Sequence, residues 1–126
     1  PDFLTALEGP GVPTIHNMIL GDRVLAKLDY GDVLRYATFV ARRIEAVYEE
    51  LGPSVVIGGF DSLHGGLSLA VAKRAGIPWF ALHFSVIPPG LACLCAGLSP
   101  AARVQLATGG GPDPAAAAEE ALRRFE

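Results

Sequence analysis

The segment Gly58-Gly59-Phe60-Asp61-Ser62-Leu63-His64 gathers, within seven positions, a double glycine, a carboxylate, a hydroxyl and an imidazole. Asp61 is the only acidic residue between Glu50 and Asp113. Glycines at 58 and 59 let a backbone turn tightly and approach a ligand closely. A helix opening just after them would present unpaired N–H groups and a positive dipole end, which suit a phosphate or a sugar hydroxyl. Asp61 or Ser62 would also serve such a helix as its N-cap. A neutral imidazole at His64 could accept a proton from a substrate hydroxyl. His83 and Ser85 form a second polar group, followed by the turn Pro88-Pro89-Gly90. His16 stands in a segment with no clear periodicity.

Two strands and two helices would have to position these groups. After Asp32, a capping residue type, the apolar positions Val33, Leu34, Ala37, Val40, Ala41, Ile44, Val47, Tyr48 and Leu51 recur at helical spacing. Arg42, Arg43, Glu45, Glu49 and Glu50 occupy the other face, and Gly52-Pro53 is a stop signal. This predicts a long amphipathic helix over 33–51. The β-branched run Val55-Val56-Ile57 predicts a strand over 54–59, buried on both faces because it does not alternate. Leu67, Leu69, Ala70, Val71 and Ala72, with Lys73-Arg74 in a last turn before Gly76, predict a helix over 63–75. Pro78 near the start of Ile77-Pro78-Trp79-Phe80-Ala81-Leu82 is compatible with a second strand. Alternating helix and strand over 33–82 implies parallel strands, helices on both faces, and ligand loops at the strands' carboxyl ends. Asp61, Ser62, His64, His83 and Ser85 would then share one sheet edge.

The remainder is less regular. Residues 1–29 read as loop with a short helix near 23–28, and 85–97 as loop. Residues 101–107 could form a short element, Gly109-Gly110-Gly111 a flexible joint, and Asp113-Pro114 the start of a last helix. The expected division is an α/β domain over 1–107 and a joint plus helix over 108–126. The chain starts at Pro1 and stops within a helical pattern, so it is expected to be part of a longer protein.

Bulk properties narrow the function classes. The 126 residues are 51% hydrophobic and 18% charged, with a net charge of −3. The charged fraction is below the roughly one-quarter of ordinary soluble domains, which suggests that some surface is normally covered. No basic run marks a nucleic-acid partner. No stretch approaches the ~20 apolar residues of a transmembrane segment; the nearest, 77–98, is interrupted by His83, Ser85, Pro88, Pro89 and Gly90. Cys93 and Cys95 are two apart, a spacing that rarely closes in ordinary disulfide geometry, and no ligand pair for zinc follows them. They are expected to be buried thiols in a reducing cytosol.

The stretch Pro53-Ser54-Val55-Val56-Ile57-Gly58-Gly59-Phe60-Asp61-Ser62, followed by Leu69-Ala70-Val71-Ala72-Lys73-Arg74-Ala75-Gly76-Ile77-Pro78-Trp79-Phe80, resembles the N-terminal domain of GT-B-fold glycosyltransferases. UDP-sugar 2-epimerases share a similar pattern. Ser54 stands where Asp is common in the family. The resemblance covers about residues 33–90, under half the chain. It implies a Rossmann-like parallel sheet flanked by helices. It also implies a cytoplasmic transferase, membrane-associated if its acceptor is lipid-linked, that moves a sugar from a nucleotide-sugar donor to a hydroxyl acceptor in polysaccharide or glycoconjugate synthesis. His64 or Asp61 would be the catalytic base, with Gly58, Gly59, Ser62, His83 and Ser85 binding substrate. The nucleotide-sugar would sit mainly on a C-terminal domain or partner chain outside these residues. No cofactor or metal is implied, because dipoles and basic side chains can stabilise the leaving diphosphate.

Gly58-Gly59-Phe60-Asp61-Ser62 is also similar to most of the Ser-Gly-Gly-x-Asp-Ser loop of ATP pyrophosphatases, with Ile57 in place of the first Ser. A third reading is a non-catalytic sugar-binding or docking module that uses the apolar segment 84–98.

Overall fold

The computed structural model describes residues 2–59, 62–84 and 92–98, together with Val104 and Arg123. The expected elements at 101–107, 109–111 and 113–126 otherwise lie outside the described residues.

Among the described residues, the elements run in the order α1 (Asp2–Thr5), α2 (Ile15–Gly21), α3 (Tyr30–Leu51), β1 (Val56–Gly58), α4 (Ser62–Arg74), β2 (Trp79–Phe84) and β3 (Ala92–Ala96), with a 3₁₀ turn at Leu25–Lys27 between α2 and α3. The protein is a mixed α/β fold. Its sheet has the order β1-β2-β3, with β1 and β2 parallel and β2 and β3 antiparallel.

Helix α3 begins three residues earlier than the apolar pattern suggests. Asp29, not Asp32, is its cap, and the Asp29 carboxylate accepts from the Asp32 N–H at 3.1 Å. Asp32 instead lies in the first turn, where its charge favours the helix dipole and pairs with Arg35. Gly52 ends the helix in the left-handed conformation, donating to the Tyr48 carbonyl. The apolar stripe packs as expected at Val33, Ala37 and Ala41, which are buried, whereas Val47 and Leu51 are exposed.

Helix α4 lies between two hydrophobic clusters. Leu63, Leu67, Ala70 and Val71 face α2 and α3, while Leu69 and Ala72 join Trp79 and Ala81 against the sheet. Leu63 and Leu67 are wholly buried, worth about 1.5–3 kcal/mol each in apolar transfer. Gly66 lets α2 approach: a Cβ there would stand 2.6 Å from Met18 Sδ. Beyond Arg74 the chain reverses through Gly76, at φ +71°. The Ile77 N–H donates to the Ala72 carbonyl and the Gly76 N–H to that of Lys73, the two bonds of a Schellman turn. That closure delivers the chain directly into β2.

Three expectations are corrected. The short helix expected near 23–28 is the 3₁₀ turn Leu25–Lys27, but the rest of 1–29 is not all loop, because α1 forms and Thr14 caps a helix whose Ile15, Met18 and Ile19 fill the outer cluster. The loop expected at 85–97 contains β3, an antiparallel strand, so the sheet is mixed rather than all parallel. Strand β1 is not buried on both faces: Ile57 is 58% exposed, and Val55, just before the strand, is 44% exposed. The described helices cover one face, onto which Val56, Trp79, Ala81 and Cys95 project. Ile57, Leu82 and Phe84 alternate onto the other and remain exposed.

The helix layer is tied to the sheet through Ser68. The buried Trp79 donates its indole N–H to Ser68 Oγ at 2.9 Å, and the Tyr48 hydroxyl lies 2.6 Å from the same oxygen. Ser68→Ala leaves the indole N–H without its acceptor and is expected to lower the unfolding free energy by about 1–3 kcal/mol in urea titration. A change below about 0.5 kcal/mol would show that water replaces the hydroxyl.

Candidate functional site

The parallel register aligns Val56 with Trp79, Ile57 with Phe80 and Gly58 with Ala81. The carboxyl end of β1 and the last residues of β2 therefore meet at one sheet edge. The loop after Gly58 leads there into the first turn of α4. His83 lies two residues beyond the Gly58 level, on the helix-covered side of β2 and opposite Cys93. It is half-buried, and its Nε2 is buried.

The two glycines of the loop differ in role. A Cβ on Gly58 would fall onto the indole of Trp79, so this glycine is required by packing. Gly59 has no atom within 4 Å of the equivalent position, and its backbone is open to an approaching molecule. Ser62 is the first residue of α4; its side chain, with Phe60, Asp61 and Ser85, lies outside the described residues.

His64 is exposed on the first turn of α4, beside wholly buried Leu63. Its Nε2 is 2.9 Å from the hydroxyl of Tyr36 on α3, and the two rings meet edge-on at 5.9 Å and 83°. Tyr36 was not among the residues singled out from the sequence. Its signal is faint: an aromatic side chain two positions from Leu34 and four from Val40, off the apolar stripe of an amphipathic helix. The His64–Tyr36 pair holds the imidazole against α3. If Nε2–H donates to the Tyr36 oxygen, Nδ1 carries the lone pair that can act as a base. If Tyr36 donates, the proton resides on Nδ1 and the ring becomes a hydrogen-bond donor to a ligand.

His16 is not at this edge. It contacts Tyr30 edge-on, at 5.9 Å between ring centroids, beside a cavity of about 570 Å³ between α1, α2 and α3. Leu4, Ile15 and Leu34 line that cavity together with Glu8 and Arg35. The Glu8 carboxylate accepts the Ile15 N–H at 2.7 Å and so acts as an additional cap for α2. Nearby, Phe3 of α1 lies under the Arg42 guanidinium, 3.6 Å from the ring centroid, and Glu45 pairs with both Arg42 and Arg74. These contacts explain the charged residues on that side of α3 as links between α1, α3 and α4.

Among the described residues, no group of three or more His, Cys, Asp or Glu side chains could hold a metal ion. No described helix is long and apolar enough to cross a membrane. No known family, curated protein or solved structure matches the chain.

An exposed His64 whose ring is held, among the described residues, by Tyr36 contributes little to folding. His64→Ala is expected to change stability by less than about 0.5 kcal/mol. Tyr36→Phe is expected to shift the His64 imidazole nitrogen resonances while leaving those of His16 and His83 in place. A loss above about 2 kcal/mol in His64→Ala would assign the residue to the scaffold instead.

Proposed function

We propose that this chain is the acceptor-side, Rossmann-like domain of a GT-B-type glycosyltransferase, which transfers a sugar from a nucleotide-sugar donor to a hydroxyl acceptor. The observation that carries this reading is the position of His64. It lies on the first turn of the helix that links two parallel strands, with its ring held by Tyr36 and the open backbone of Gly59 nearby. In this reading the acceptor hydroxyl gives its proton to Nδ1 of His64, its oxygen attacks the anomeric carbon, and the nucleoside diphosphate leaves. Tyr36 holds the direction of the imidazole, and Nδ1 is the base in the tautomer whose Nε2–H donates to the Tyr36 oxygen. Ser62, the first residue of the same helix, and His83 of the neighbouring strand would bind sugar hydroxyls, together with Asp61 and Ser85, which adjoin them in sequence. The donor would be bound chiefly by a C-terminal domain or partner chain.

The pyrophosphatase-like reading has less support, because the first glycine of its loop serves the Trp79 contact. The docking-module reading gains from Phe84, 73% exposed at the start of the 84–98 segment, and from Ile57 and Leu82 on the same sheet face.

Calorimetry against UDP-sugars, GDP-sugars, UDP, ATP and pyrophosphate separates these readings, with Asp61→Asn as a control. The transferase reading expects weak nucleotide binding by this chain alone, and turnover when the donor-binding half is supplied. His64→Ala should then lower kcat by about 10²–10⁴-fold. Saturable ATP or pyrophosphate binding that Asp61→Asn abolishes would favour the pyrophosphatase-like loop.

A further inference from the structure

We propose that Cys93 and Cys95 form a thiol–disulfide exchange site, in which Cys93 attacks a low-molecular-weight disulfide of the glutathione type and Cys95 resolves the product. Two residues apart on β3, both side chains project from the same face of the strand. Their sulfurs lie 3.9 Å apart, in the range of a weak S–H···S contact. The pair is unequal: Cys93 is half-buried, whereas Cys95 is fully buried. That difference sets the order of events, since a dissolved disulfide can reach Cys93 first, while Cys95 is reached most readily by the sulfur beside it.

The chemistry balances in two displacements. The Cys93 thiolate attacks one sulfur of the small disulfide, forming a mixed disulfide and expelling one small thiolate. The Cys95 thiolate then attacks Cys93 Sγ, forming the protein disulfide and expelling the second. The two protons lost by the cysteines end on the two small thiols. The protein pair is oxidised by two electrons and the small disulfide is reduced by two.

Geometry makes the closed bond a labile one. Residues i and i+2 of an extended strand have Cα atoms about 6.4–6.8 Å apart, at the upper limit of the ~4.4–6.8 Å that disulfides span. The Cβ atoms must also close to about 3.5–4.5 Å. Strand β3 therefore has to bend, and the pairs it strains are Ala81 with Cys95, Leu82 with Leu94 and His83 with Cys93. Strained disulfides are the readily reduced ones. Because His83 is paired directly with Cys93, the bend reaches the carboxyl end of β2.

The test uses the whole chain in buffers of oxidised and reduced glutathione, with acid quenching, alkylation and intact mass measurement. The wild-type protein is expected to lose both alkylatable thiols without retaining glutathione, and to regain them in excess reduced glutathione. Cys95→Ala should stall as a mixed disulfide at Cys93, and Cys93→Ser should react at least tenfold more slowly than wild type. Circular dichroism establishes that each variant is folded; because Cys95 is buried, Cys93→Ser and the wild-type protein together suffice if Cys95→Ala is not. Two persistent thiols in the wild-type protein, a stable wild-type mixed disulfide, or undiminished reactivity of Cys93→Ser would each overturn the proposal.

Discussion

Ser68 is the point on which the helix and sheet layers depend. An indole N–H can only donate, and in a buried site it must find an acceptor. Trp79 finds Ser68, and Tyr48 from α3 converges on the same oxygen, so one hydroxyl joins α3, α4 and β2. The indole is also the reason β1 ends in glycine: its ring occupies the space that a side chain at position 58 would need. A single aromatic residue thus sets the spacing between helix and strand and leaves the next position, Gly59, as the open part of the loop.

The second organising feature is the asymmetry of the sheet. The described helices α1 to α4 lie on one side, where Val56, Trp79 and Ala81 pack with Leu69 and Ala72 of α4. The other side presents Ile57, Leu82 and Phe84 to solvent. Other large apolar side chains, among them Phe39 and Leu51, are exposed on the helices. The run Val55-Val56-Ile57 looks like a strand buried on both faces because its composition suits that environment. Composition describes what a face can tolerate, and only the arrangement of neighbours decides whether it is covered.

The polar edge was legible in part. His64 could be placed on a helix opening because Gly58-Gly59 follows a β-branched run and precedes an apolar helical pattern. Its partner could not be found this way: Tyr36 is 28 residues away and meets His64 only because α3 packs beside α4. The split between Gly58 and Gly59 was equally hidden, since both glycines read alike until Trp79 is placed. Likewise Asp29 outcompetes Asp32 as the cap, because either residue type is suitable and the choice depends on which peptide turns first.

By itself the sequence determined the long helix α3, the β1–α4–β2 unit with its glycine stops, and the place of His64 on the first turn of α4. These rest on local chemistry: periodic apolar residues, turn conformations accessible to glycine, and the β preference of branched side chains. Tertiary structure alone decided the antiparallel addition of β3, the one-sided helix layer, the Ser68 junction and the pairing of His64 with Tyr36. Each of these joins residues on different elements, and its stability comes from packing and hydrogen bonds formed only once both partners are in place.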